Sequence, residues 1–281
     1  MKDRNIIITG GNAGIGLATS ITLAKQGANI YIVSRDKDKA EEAVREIIGV
    51  SGNKNVKYFL AELSSQKSIR QLALEIKAEM NVVDVLINNA GCAFINFELS
   101  EEGLEKTIAT NHFAYFLLTN LLLDLIKNSD YARIINVSSD SHYNGKIKFD
   151  SFSQKKGYFV RSAYEQSKLA NVLFTNELAE RLKSTHVTVN SLHPGFVKTK
   201  IGNKNSAWYS SLVWSIMTEL GAISVEDGAK TSVYLASSPE VKNVTGLYFD
   251  KCKSKEIAKR AKDISMQKEL WRKSEELCPL S

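Results

Sequence analysis

Long apolar runs are missing from this chain. No stretch of about 18 or more consecutive apolar residues occurs, so no membrane-spanning helix is expected. The amino terminus, MKDRNIIITGG, passes straight into an apolar strand, so no secretory signal is expected. Cysteine is scarce. Cys92, Cys252 and Cys278 are far apart and odd in number, which offers neither a disulfide framework nor metal-ligand spacing. Reduced thiols, no metal site and a cytoplasmic location are therefore expected. A clustered basic groove with interleaved aromatics is also missing. The net charge of +6 thus suits an anionic ligand or surface rather than nucleic acid. There is no linker, repeat or low-complexity segment. With 281 residues, 43% hydrophobic and 24% charged, residues 1–281 read as one globular domain near the upper size for a single core.

What is present is alternation. Short apolar runs at 4–9, 29–33, 56–60, 82–87, 133–137, 187–192 and 246–249 read as about seven strands. Several are apolar at consecutive positions, as in strands buried on both faces. Between them, periodic segments at 17–26, 37–48, 66–80, 101–126, 162–182 and 225–237 read as helices, with a charged helical tail over 255–277. Strands alternating with helices imply an α/β fold: a doubly wound parallel sheet with helices on both faces. Ligands of such sheets bind at the carboxyl ends of the strands. The unusual residues fall there: the glycine turn from Gly10 to Gly16, Ser34-Arg35, Asn88-Asn89, Ser139 and His193-Pro194-Gly195.

The helix over 162–182 carries Leu169, Val172, Leu173, Leu178 and Leu182 on one face. Tyr164 and Lys168, at i and i+4, lie one turn apart near its start. A phenol with an ordinary pKa of about 10 is a poor acid or base at neutral pH, and a nearby ammonium lowers that value. The pair reads as a proton-transfer device. The glycine turn lies between a strand and a helix, where glycines let the backbone approach a pyrophosphate on the helix amino terminus. Its spacing, G-x-x-x-G-x-G, differs from the standard dinucleotide fingerprint.

Taken together, TGGNAGIG (9–16), NNAG (88–91), Asn111, VSS (137–139), YEQSK (164–168) and PGFVKT (194–199) resemble the short-chain dehydrogenase/reductase family across nearly the whole chain. The match is closest to its retinol-dehydrogenase-like branch, on SKLANVLFTNELAERL, HPGFVKT, the long gap between Ser139 and Tyr164, and the tail. The resemblance implies a single-domain Rossmann-like fold and hydride transfer on a nicotinamide cofactor. It implies Asn111, Ser139, Tyr164 and Lys168 as the catalytic set, with Ser139 and Tyr164 on the substrate oxygen. It implies cofactor contacts from Thr9, Gly10, Asn12, Gly14, Ile15, Gly16, Glu62, Leu63, Asn89, Ala90, Gly91, Pro194, Gly195, Val197 and Thr199, besides Tyr164 and Lys168. Asn88 is expected beside Gly91 on the adenosine side. Glu62 departs from the aspartate usual in the family.

The residues bear on NADP(H) against NAD(H). Asp36, about 20 positions after Gly16, favours NAD(H) on a count. The family's discriminating acid, however, sits where this chain has Ser34, and Arg35 follows with a guanidinium suited to a 2′-phosphate. Lys37 offers a second cation, and Asp36 reads as a helix cap. NADP(H) is preferred. The expected partner is a small apolar alcohol or carbonyl, retinal-like, steroid-like or lipid-derived, with the protein a monomer or homodimer. The alternatives are a light-dependent protochlorophyllide reductase-like enzyme and a catalytically silent cofactor-binding regulator. Residues 199–223, with Trp208, Tyr209, Leu212, Val213, Trp214, Ile216, Met217 and Leu220, read as a substrate lid. A core-facing helix and a weak peripheral membrane contact through Lys200 and Lys204 are the other readings of that stretch.

Overall fold

The computed structural model describes residues 1–196 and 223–280. Val197, Thr199 and all but the last residue of the expected lid lie outside the described residues. Five parallel strands form the expected centre. They are β1 (Asn5–Thr9), β2 (Asn29–Ser34), β3 (Val56–Leu60), β4 (Val85–Asn88) and β5 (Arg133–Val137). β6 (Thr188–His193) and β7 (Tyr248–Asp250) extend it in parallel, in the order β3-β2-β1-β4-β5-β6-β7. The order reverses direction between β1 and β4, the switch point at which such sheets open a ligand crevice.

The strand sequences explain the two layers. Ile6 and Ile8 pack into one apolar cluster and Ile7 into the other, because successive side chains leave a strand on opposite faces. α1 (Gly14–Lys25), α2 (Lys37–Ser51) and α8 (Val225–Ser237) supply apolar residues to the first cluster. α3 (Gln66–Glu79), α5 (Ala114–Leu121), α7 (Val160–Arg181) and the terminal helix α9 (Ile264–Leu277) serve the second. Among the described residues no helix is long and apolar enough to cross a membrane.

Two expectations about helices need correction, and one edge strand is added. The expected parallel sheet of about seven strands is present, and among the described residues it carries an eighth, short strand at its edge. β8 (Lys253–Lys255) pairs antiparallel with β7 through a two-residue turn in which Lys251 and Cys252 have φ of 49° and 61°. Such turns usually show Asn-Gly, and this strand is Lys-Ser-Lys, so neither the turn nor an apolar run announces it. The tail is accordingly not helical from 255: Lys259–Lys262 is a 3₁₀ turn, and α9 starts after Asp263, whose carboxylate caps Ser265 and Met266. Finally, the helix expected over 101–126 is broken. α4 (Lys106–Ile108) begins after Glu105, which accepts from the Thr107 and Ile108 amides. A π-helical segment, Ala109–Phe113, follows and carries Asn111. The chain breaks again between α5 and α6 (Leu123–Lys127).

Asp84 ties the bottom of the sheet. Its buried carboxylate accepts from Arg4 Nη1 (2.9 Å), the Asn5 amide (2.7 Å) and Ser129 Oγ (2.6 Å). Asp84→Ala leaves those donors short of a partner and should cost about 2–4 kcal/mol. Urea unfolding measures this, and a change below 1 kcal/mol (roughly the worth of one ordinary hydrogen bond) would refute the role.

Candidate active site

The glycine turn is locked to the end of β4. Thr9 Oγ1 accepts from the Asn89 and Ala90 amides at 2.9 and 3.0 Å, and Asn89 Nδ2 donates to Thr9 O at 2.8 Å. A Cβ at Gly16 would stand 2.2 Å from Gly10 O, so only glycine lets α1 start this close to β1. Gly10 and Gly14 take positive φ of 65° and 52°. α1 has Ala13 at its N-cap with no side-chain cap and no acid in its first turn. Its first amides therefore remain for an anion, with Asn12 and Ile15 half-buried beside them. These features fit the pyrophosphate of a dinucleotide.

Asn88 belongs elsewhere than expected. It is fully buried, and its amide donates to Thr119 Oγ1 (3.0 Å) and Asn136 Oδ1 (2.9 Å), beneath the strand ends rather than on the adenosine side. Leu63 likewise directs its side chain into the core. At the end of β2, Ser34 is buried with its hydroxyl turned onto the Asp36 backbone, while Asp36 caps α2 at the Lys39 amide. Arg35 projects to solvent with Glu62 beside it. Lys37, offered as a second cation, stands 3.8 Å from Glu41 on its own helix.

Asn111, Ser139, Tyr164 and Lys168 converge at the ends of β4 and β5. Asn111 Oδ1 accepts from the Cys92 amide (2.8 Å), and its Nδ2 donates to Cys92 O and Ser167 Oγ, both at 2.9 Å. A Cβ at Gly91 would lie 3.3 Å from Lys168 Nζ and 3.5 Å from Asn111 Oδ1, which places the turn after β4 against both. Lys168 is 2% exposed. Its Nζ donates to Val137 O at 3.0 Å and stands 5.6 Å from the centre of the Tyr164 ring. Pro194 and Gly195 close the side at β6, Gly195 with φ of 88°.

Burial governs the proton affinities. It pushes the Tyr164 phenol up to about 12, with the Ser139 hydroxyl partly opposing, and pulls the Lys168 ammonium down from 10.5 to about 8. The expected lowering of Tyr164 by Lys168 does not appear in this structure: burial raises the phenol, and the opposing contribution comes from the Ser139 hydroxyl.

Two residues passed over by the sequence reading hold the Ser139 turn. His142 Nδ1 bonds Ser139 O at 2.8 Å while the Ala258 amide donates to its Nε2 at 3.2 Å, which makes Nδ1 the protonated nitrogen. Asp140 accepts from Tyr248 Oη (3.0 Å) and Lys255 Nζ (2.8 Å). Their adjacency to Ser139, in SSDSH, was the available signal.

The family described as short chain dehydrogenase matches residues 4–210. Retinol dehydrogenase 13 of Homo sapiens is 42% identical, over 99% of this chain and 85% of that protein. Retinol dehydrogenase 14 of Homo sapiens is 39% identical, over 98% and 86%. A crystal structure of an uncharacterized Mycobacterium Paratuberculosis protein superposes with a TM-score of 0.79 at 30% identity, covering 99% of this chain and 94% of that one. The Pseudomonas aeruginosa RhlG/NADP active-site complex superposes with a TM-score of 0.70 over 89% and 94%, and at 24% identity speaks for the fold alone.

The Lys168 shift carries a stability consequence. Its folded value lies below the unfolded one, so the unfolded chain binds the extra proton between about pH 8 and 10.5, and stability from this group rises with pH across that window. Lys168→Met should therefore stabilise the cofactor-free protein by about 1–3 kcal/mol at pH 7, with the gain fading towards pH 10.5. Chemical unfolding at pH 7 and pH 10 measures it. No gain at pH 7 would contradict the burial penalty.

Proposed function

Since this chain belongs to the short-chain dehydrogenase family and is an oxidoreductase, we propose that it uses NADP(H) to interconvert an alcohol and an aldehyde or ketone on an apolar small molecule. The observation that carries this reading is the convergence of Ser139, Tyr164, Lys168 and Asn111 at the ends of β4 and β5, beside the glycine turn. When bound, the nicotinamide cofactor supplies or accepts the hydride. In the reductive direction Tyr164 gives a proton to the substrate oxygen. Its raised pKa keeps it protonated at neutral pH, the form an acid requires. Ser139 donates to the same oxygen. Lys168 holds the nicotinamide ribose, and Asn111, fixed at both ends of its amide, holds the turn after β4 against Lys168. Val197 and Thr199 would complete the carboxamide contacts.

Apolar substrates are supported in two ways. The relatives named above are called retinol dehydrogenases. Ile95, Phe159 and Phe196, on the segments after β4, before α7 and after β6, are exposed at the same end of the sheet as the site. NADP(H) is supported by Arg35 and by the lack of an acid at Ser34.

Consumption of NADPH with a panel of apolar aldehydes and ketones tests the reading directly. Tyr164→Phe should lower turnover by about 10²-fold or more, with little change in NADPH affinity. Wild-type turnover in that variant would remove Tyr164 from the mechanism. Arg35→Ala should weaken NADPH by about tenfold to a hundredfold and NADH far less. Fluorescence titration of both cofactors measures the difference, and equal loss would mean that Arg35 does not meet the 2′-phosphate.

A further inference from the structure

β8 has no apolar residue to bury. Lys253, Ser254 and Lys255 make up the whole strand, so core packing does not account for it. A charged edge keeps other strands from pairing there, and Lys253, which is exposed, suits that purpose. Lys255 is engaged differently. Its Nζ donates to Asp140 Oδ2 at 2.8 Å and to Asp250 Oδ2 at 3.0 Å, which joins the edge hairpin to the turn after β5. Tyr248, paired with Lys255 across the hairpin, donates from Oη to Asp140 Oδ1 at 3.0 Å. Both carboxylate oxygens of Asp140 are thus taken by the hairpin, and His193 Nε2 on β6 stands 3.9 Å from Oδ2. Burial alone would raise the Asp140 carboxyl, yet Lys255, His193 and Tyr248 together hold it below its ordinary value. The chain beyond β8 grips the same turn. Tyr143 Oη donates to Glu256 O, the Ala258 amide to His142 Nε2, and Arg260 Nη1 to Gly145 O.

What this turn carries is Ser139. Its Oγ accepts from the Ser141 amide at 3.1 Å, capping the 3₁₀ turn Asp140–Tyr143, and donates to Ser141 Oγ at 3.2 Å. A hydroxyl has a single proton to give. With the Ser141 amide fixed on its acceptor side, the direction of that proton is set by where the turn lies. We propose that Asp140 and Lys255 are positioning residues for the Ser139 hydroxyl, and that the edge hairpin β7–β8 serves the reaction through them. The proposal rests on the reading of Ser139 given above, as a donor to the substrate oxygen. When substrate binds, the Ser139 proton turns from Ser141 Oγ to the substrate oxygen, while the Ser141 amide keeps the hydroxyl in place. A turn displaced by about an ångström still offers that amide but aims the proton wrongly, and such a misplacement can cost about 10²-fold in rate.

The test is steady-state turnover of the full chain with NADPH and the aldehyde reduced fastest in the panel above. The variants are Asp140→Asn, Lys255→Met, Lys255→Arg, Ser139→Ala and the double variant of Asp140→Asn with Ser139→Ala. Asn keeps an oxygen for Tyr248 and removes the charge that Lys255 meets. In Asp140→Asn and Lys255→Met, kcat should fall about 10- to 10²-fold with NADPH affinity near wild type. Lys255→Arg, which keeps a charged donor, should recover most of that loss. Ser139→Ala should lower kcat by about 10²- to 10³-fold. Adding Asp140→Asn to it should cost less than about twofold more, because no hydroxyl is left to aim. Melting temperature checks folding, and if Asp140→Asn melts below the assay temperature the same cycle is run with Lys255→Met. If the loss is as large without the Ser139 hydroxyl as with it, or if kcat does not change, the positioning role is overturned and the functional reading stands. If Ser139→Ala itself keeps wild-type turnover, the reading of Ser139 fails and takes the positioning role with it.

Discussion

An ammonium buried without a carboxylate is the constraint around which this molecule is built. Lys168 makes no ion pair among the described residues, and its recorded hydrogen bond goes to one carbonyl, Val137 O. Such a group is costly and stays buried only where the surrounding structure imposes it. Here three elements do so. α7 carries the side chain inward, β5 ends with its carbonyl turned to meet it, and Gly91 brings the turn after β4 against it with no side chain in the way. A folded state that tolerates this must recover the cost elsewhere, and the two apolar clusters flanking the sheet are where it does.

A polar ladder behind the site keeps those elements in register. Asn88 and Asn136 stand opposite each other on β4 and β5. Asn88 reaches Thr119 on α5, Asn136 reaches Thr175 on α7, and Thr175 donates back to Asn171 O. Asn171 Nδ2 then shares Val137 O with Lys168. Sheet and helices are thus joined across the second layer by amides rather than by packing alone. Buried amides accept few geometries, so a slip of any one element would leave several of them unpaired. The strand ends that carry Ser139 and Gly91 inherit that precision.

Legibility followed the range of the interaction. The alternation of Ile6, Ile7 and Ile8, the glycine turn and the Asp36 cap are local, so the sheet, its two layers and the capped helices could be read directly. β8 was hidden because its stability comes from pairing with β7, while its residues are Lys-Ser-Lys and its turn lacks glycine. The π segment at Asn111 was hidden because the sequence there has ordinary helical periodicity, and the distortion coincides with the clasp on Cys92 from another loop. Asn88 was misplaced for the same reason. Strand-end position suggested exposure, but Thr119 and Asn136, distant in sequence, bury it.

The sequence reading of Tyr164 and Lys168 weighed the charge of one on the phenol of the other and left burial out. The structure makes them two groups sharing one desolvated space. Burial acts on both at once and in opposite senses, because the charged form is the cation of one and the anion of the other. With values of about 12 and about 8, the phenol stays protonated at neutral pH, and the ammonium is poised within reach of it. A developing negative charge on an oxygen beside Ser139 and Tyr164 would reverse the balance for Lys168, since it supplies the opposite charge that the fold withholds. The low dielectric that makes the cation expensive alone makes that attraction strong. Under the proposed mechanism, the cost of burying Lys168 in the free protein and its attraction for a reacting oxygen have a single origin.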